Sequence, residues 1–132
     1  MKVRIDNRSA KRERLSIEIV CAVREVVGPN VDLCIEAHDR FTVTHAIRIG
    51  HTLEELQVMW LEAPVHSGDI EATIEVATIE MANAIAPVPV AVDERYKRME
   101  IFVDLLATKV IDIVQPEVLT PDCLYYQLDI PF

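Results

Sequence analysis

The sequence predicts an α/β domain built from parallel βα units, and three observations carry that prediction. Short apolar runs alternate with longer segments of helical periodicity, in the order β-α-β-α-β-α-β-α-β. Three of these runs, Val31 to Glu36, Val58 to Glu62 and Val88 to Glu94, close on a carboxylate followed by turn or helix-starting residues. Strand-end acids recur at Glu36, Glu62, Glu94 and Glu117, at intervals of 26, 32 and 23 residues, each holding one strand and one helix. Apolar strands separated by amphipathic helices indicate a parallel sheet with right-handed crossovers. Two architectures fit: a partial, half-barrel-like βα repeat over residues 1–118, or an open, flavodoxin-like doubly wound sheet with helices on both faces. A complete eight-stranded α/β barrel takes roughly 200 residues or more, so the 132 residues here hold part of one at most.

Each element has its own signal. Lys2-Val3-Arg4-Ile5 is a short first strand, and Ser9 to Val27 carries apolar Leu15, Ile19, Ala22, Val23 and Val26 at helical spacing until Gly28-Pro29-Asn30 stops it. The strand ending at Glu36 leads into a loop, Ala37 to Phe41. Thr42 is placed to cap a second helix whose inner face is Ala46, Ile49, Leu53 and Leu56. After the strand ending at Glu62 and a loop from Pro64 to Gly68, Ile70, Ile74, Ala77, Met81 and Ala84 describe a third helix. Pro87 and Pro89 bracket the entry to the strand ending at Glu94, where a strand's first residues tolerate proline. Met99, Phe102, Val103 and Leu106 mark the buried side of a fourth helix, and Lys109 to Val114 is the last strand. Residues 119–132, with two prolines and paired tyrosines, read as an irregular tail.

Composition excludes several functions. The net charge of −9, from 22 acidic against 13 basic residues, argues against a nucleic-acid surface, which needs a basic face. The cluster from Arg8 to Arg14 includes Glu13 and reads as a solvated helix face. Apolar runs fall short of the ~18 residues of a membrane span, and the charged N-terminus lacks a signal peptide's apolar core. Cys21, Cys34 and Cys123 are widely spaced with no C-x-x-C pair, which suits a reducing cytoplasm.

Carboxylates converging from neighbouring parallel strands make a hard, all-oxygen site suited to Mg²⁺ or Mn²⁺. A single strand-end acid more often faces solvent or caps the following helix, whereas Glu36, Glu62 and Glu94 in register favour a metal site. His38, two residues beyond Glu36 on extended backbone, faces the same way and is placed as a general acid or base. His45, His51 and His66 read as surface residues, and Trp60 as core packing.

The order of the motifs resembles the barrel domain of the enolase superfamily, in its mandelate racemase branch with the galactonate and gluconate dehydratases. The residues concerned are Asp32 to Phe41 (DLCIEAHDRF), Trp60 to Val65 (WLEAPV), Asp93-Glu94-Arg95 and Val110 to Val118 (VIDIVQPEV). The resemblance implies that Glu36, Glu62 and Glu94 are Mg²⁺ ligands and that His38 assists departure of a hydroxyl. It further implies that Lys2, with Arg4, lies where the family places a base or a partner for the substrate carboxylate, and that Glu117 orients a catalytic group. The implied reaction removes a proton α to the carboxylate of a small acid sugar, with the enediolate stabilised by Mg²⁺. Glu36 and Glu117 stand where the family has aspartate, and Ala63 where the branch often has glutamate. With later strands and a capping domain missing, the expectation is a truncated relative with little or no activity as an isolated chain. The alternative is a non-catalytic structural or oligomerisation domain with weak metal binding. Five parallel strands cannot close a barrel, so a homodimer or larger homo-oligomer is expected, with Leu119 to Phe132 at or near the interface.

Overall fold

The computed structural model describes residues 1–6, 10–71, 73, 74, 88–96, 98–111 and 113–117. The elements are β1 (Lys2–Arg4), α1 (Ala10–Val27), β2 (Cys34–Glu36), α2 (Val43–Glu55), β3 (Trp60–Glu62), β4 (Val90–Val92), α3 (Met99–Ala107) and β5 (Ile113–Val114). Ile70, Glu71, Thr73 and Ile74 are helical at the start of the expected third helix. The rest of that helix and the tail 119–132 lie outside the described residues.

The five strands are all parallel and lie in the order β1-β2-β3-β4-β5. This order decides between the two expected architectures. A doubly wound sheet needs a point where the strand order reverses, so that helices go to both faces. Here every step goes the same way, and right-handed crossovers then put the connecting helices α1, α2 and α3 on one face. The flavodoxin-like alternative is therefore set aside, and the chain is a partial barrel.

Register sorts the side chains into two sets. Val3, Ile35, Leu61 and Val90 are partners across four strands, and with Val92 they face the helices and form the core with Ala46, Ile49, Leu53, Phe102 and Leu105. Arg4, Glu36, Glu62, Ala91 and Ile113 form the next row and project from the opposite face.

Helix α2 buries Ala46, Ile49, Gly50 and Leu53, as its periodicity predicts. Thr42 stands at its N-cap position, where its carbonyl accepts the first helical bond from Ala46 N at 2.9 Å but its side chain makes no capping hydrogen bond. Two helices match the expected face only in part: Val23 of α1 and Met99 and Phe102 of α3 pack on the core as expected, but their neighbours in the stripe do not. In α1, Leu15, Ile19 and Val26 are exposed, and Ser16 and Val20 are buried. In α3, Phe102 and Leu105 are buried and Val103 and Leu106 exposed. Both helices are apolar on more than one side, so spacing alone leaves the buried stripe undecided. In α1 the choice is fixed by Ser16, whose Oγ accepts from Asp6 N and donates to Asp6 O, both at 2.9 Å, tying the helix to the end of β1.

Gly28 ends α1 with φ 73°, its N–H donating to Arg24 O at 2.9 Å. Arg24 then reaches outward, donating to the carbonyls of Leu56, Gly28, Val31 and Gln57 at 2.8–2.9 Å. One guanidinium thus fastens the end of α1 to the turn before β3. The last strand is shorter than expected, because Lys109 takes φ 60° in the turn that closes α3.

Candidate metal centre

The site is assembled at the C-terminal ends of β2, β3 and β4. Glu36 and Glu62 are register partners on adjacent parallel strands, so their side chains stand side by side on the face opposite the helices. On β4 the partner of Glu62 is Ala91, whose small side chain leaves room above it. Asp93, two residues on, shares that face by strand alternation and fills the room. Glu36, Glu62 and Asp93 each offer a carboxylate oxygen, all within 4.8 Å of one another. Glu62 and Asp93 are each 1% exposed and Glu36 9%.

Glu94 takes no part in this cluster and is exposed on the turn after β4. The third corner expected at Glu94 falls to the preceding residue, because Val90 and Val92 point to the core and alternation sends Ala91 and Asp93 the other way. Glu117 lies past β5, partly buried, two residues beyond Gln115, whose N–H donates to Val92 O at 2.8 Å.

Cations from β1 face the two glutamates. Lys2 Nζ is 2.5 Å from Glu62 Oε1, and Trp60 Nε1 donates to Glu62 Oε2 at 3.2 Å. Trp60, expected as core packing, thus holds a site carboxylate from two residues away. Arg4 donates to both oxygens of Glu36, from Nη2 to Oε1 at 3.0 Å and from Nε to Oε2 at 3.4 Å. Burial opposes ionisation of Glu36, but the hydrogen bonds of Arg4 and His38 and the charges of Arg4 and Lys2 outweigh it. Its carboxyl is held below the usual glutamate range.

His38 meets Glu36, with Nδ1 2.6 Å from Glu36 Oε1, but not by the extended backbone expected: the strand ends at Glu36 and the chain turns at His38. Its backbone and that of Asp39 are left-handed, with φ 56° and 60°. The loop is strapped to the one after β3: Ala37 N donates to Glu62 O, Asp39 N to Ala63 O and Phe41 N to Pro64 O, at 2.9–3.0 Å. Ala63 itself has φ 44°, a strained conformation for a residue with a Cβ.

Arg95 enters from the turn after β4. Its Nη2 lies 2.9 Å from Asp93 Oδ2, 3.8 Å from Glu36 Oε1 and beside His38 Nδ1, while Nη1 lies 2.8 Å from Asp39 Oδ1. Its backbone N–H donates to Asp93 Oδ1 at 3.2 Å. The ion contacts are close but poorly directed: Asp93 Oδ2, Asp39 Oδ1 and Arg95 Nη1 are buried, and none makes a well-aligned hydrogen bond. At Asp93 burial dominates. It raises the carboxyl above the usual aspartate range, with Glu94 and Asp39 adding to the rise and Arg95 offsetting only part of it.

The donor set is oxygen only, from three carboxylates, and includes a buried Asp93 oxygen without a directed hydrogen bond. That fits a hard divalent cation such as Mg²⁺ or Mn²⁺ and not a soft, thiolate-seeking one.

Comparison with known proteins identifies the family and the fold. A family model described as enolase C-terminal domain-like matches residues 1–120. A D-gluconate/D-galactonate dehydratase of Picrophilus torridus is 32% identical over 114 residues, covering 86% of this chain and 27% of the relative. Among solved structures, a member of the enolase superfamily from Polaromonas sp. JS666 superposes with a TM-score of 0.80 at 30% identity, over 96% of this chain and 31% of that one. An L-talarate dehydratase from the same organism, complexed with Mg and L-glucarate, shares the fold with a TM-score of 0.81 at 22% identity, over 98% and 34% of the two chains. The chain thus spans about a third or less of the length of the relatives it matches.

Proposed function

The chain belongs to the enolase C-terminal domain-like family, and from that premise we propose that it forms the metal-holding wall of a sugar-acid dehydratase site. The observation that carries this reading is the convergence of Glu36, Glu62 and Asp93 from three adjacent strands. These three residues would hold Mg²⁺ or Mn²⁺, and the ion would supply Lewis-acid polarisation of a substrate carboxylate.

The chain's own side chains supply the rest. Lys2, anchored on Glu62 but with its side chain 45% exposed, presents an ammonium that can orient an acid-sugar carboxylate or, once deprotonated, take up a proton. His38, held by Glu36 and 30% exposed at its side chain, is positioned to give a proton to a departing hydroxyl. Arg4 keeps Glu36 ionised and ready to ligate. Glu117, past the end of β5, keeps the orienting role implied by resemblance. Cys21 and Cys34, both free thiols, suit a reducing cytoplasmic setting.

The test is a titration of Mn²⁺ into the metal-free chain, followed by calorimetry and by the fluorescence of Trp60, the single tryptophan, which touches Glu62. Binding at micromolar metal that perturbs Trp60 and disappears in Glu62→Gln is expected. Absence of binding at millimolar metal would overturn the reading. The same sample, given Mg²⁺ and an aldonic acid, is expected to show little or no turnover. A rate comparable to that of a working dehydratase would show that this wall suffices by itself.

A second reading, a structural or oligomerisation domain, is favoured by one observation. Met1, Ile19, Ala22, Val23, Val26 and Val27 line an open apolar groove beside β1, in which Val26 is 86% exposed. Pairing of two copies across this side would cover apolar surface and shield the outer edge of β1. Light scattering is expected to find a dimer or larger species at micromolar concentration, and a stable monomer would count against it.

A further inference from the structure

We propose that Arg95 is a tethered counter-cation, which neutralises the acids of the metal centre when no divalent ion is bound and withdraws onto Asp39 when one enters. The proposal rests on the metal-site reading above and goes beyond it, since it makes metal affinity a competition with the protein's own guanidinium.

Two features of the geometry support it. The first is crowding. Arg95 Nη2 lies against Asp93 Oδ2, His38 Nδ1 and, more distantly, Glu36 Oε1, and both of the acids among these are candidate ligands. A divalent ion among the same oxygens and this guanidinium cannot share that space, and their like charges repel. His38 Nδ1 cannot both accept from Arg95 and donate to Glu36 through one lone pair or one proton, so the arrangement leaves a contact unsatisfied.

The second feature is that Arg95 has an anchor outside the ligand set. Its Nη1 lies 2.8 Å from Asp39 Oδ1, while the other oxygen of Asp39 accepts from Ser67 N at 3.2 Å. Asp39 is therefore fixed in place by the loop after β3, and Arg95 can pivot about it without losing its partner. The buried atoms that lack directed hydrogen bonds here, Asp39 Oδ1, Asp93 Oδ2 and Arg95 Nη1, are those a pivot would realign.

Calorimetric titration of Mn²⁺ alone into the metal-free chain, its Arg95→Gln variant and its Asp39→Asn variant tests this, with circular dichroism to check the fold. Arg95→Gln is expected to bind Mn²⁺ about tenfold tighter, equivalent to ~1.4 kcal/mol, and to melt at a lower temperature without metal. Asp39→Asn, which removes the retreat, is expected to bind more weakly. Unchanged or weaker binding in a folded Arg95→Gln, with the wild type still binding, would overturn the proposal and leave the metal site standing. If Arg95→Gln fails to fold, Asp39→Asn decides: weaker binding supports the competition, and unchanged binding overturns it. If neither the wild type nor a variant binds at millimolar Mn²⁺, the metal-site reading fails and this proposal with it.

Discussion

Two sides of the acidic cluster are built in opposite ways. Glu36 and Glu62 sit within strands and are each met by a cation from β1, Arg4 on one and Lys2 on the other. Asp93 sits just past its strand, and its nearby cation, Arg95, is shared with Glu36, His38 and Asp39. The contrast shows in their acidities: Glu36 is held below its usual range and Asp93 above it. One side of the cluster is thus stable as an anion in the metal-free protein, and the other is under-compensated. Such an asymmetry suits a site that must persist without an ion yet gain from binding one.

The sharpest way to break the comparison is to neutralise the under-compensated corner. Asp93→Asn is expected to abolish Mn²⁺ binding, while Glu94→Gln, on the exposed turn, changes affinity by less than threefold. At a free metal concentration of ~100 times Kd, the ion stabilises a binding-competent fold by about 2.7 kcal/mol, and Asp93→Asn forfeits that gain. Urea denaturation with and without Mn²⁺ measures it. If Glu94→Gln is the variant that loses binding, the third ligand is Glu94, as family resemblance implies, and the ion pulls the turn after β4 inward.

Much of this architecture is legible in the chain. Alternating apolar runs and helical stripes announce the parallel sheet, and Glu36 and Glu62 stand together as register partners on adjacent strands, whereas His38 reaches Glu36 through a left-handed turn that its spacing did not announce. The third corner was also present, though less visibly. Val88, Val90 and Val92 alternate, so Asp93 and not Glu94 shares the face of Ala91. Where the pattern misleads, the physical reason is degeneracy: α1 and α3 are apolar on more than one side, and only packing against the sheet selects Val20 over Ile19 and Leu105 over Leu106. The arginines were invisible for another reason. Arg24 and Arg95 act on partners up to 33 and 59 residues away, and charge or local spacing gives no sign of that reach.

A smaller effect separates the corners without metal. Glu36, with its folded value lowered, contributes stability that is full above the ordinary glutamate range and is lost as pH falls through the lowered value. Asp93, with its folded value raised, contributes stability that is full below the ordinary aspartate range and is lost as pH rises through the raised value. At neutral pH the metal-free Glu36→Gln chain should therefore be less stable than wild type and Asp93→Asn more stable. Both differences should shrink as the pH is lowered, because protonation makes each wild-type carboxyl resemble its amide replacement. Metal-free urea unfolding from neutral to mildly acid pH measures both. Opposite signs at neutral pH would sustain the asymmetry, and two losses of equal size would show that Asp93 is as well compensated as Glu36. The outcome also fixes what an entering ion does: if only Asp93 gains from losing its charge, the ion's main electrostatic effect lies at that corner, with Glu36 and Glu62 already provided for by β1.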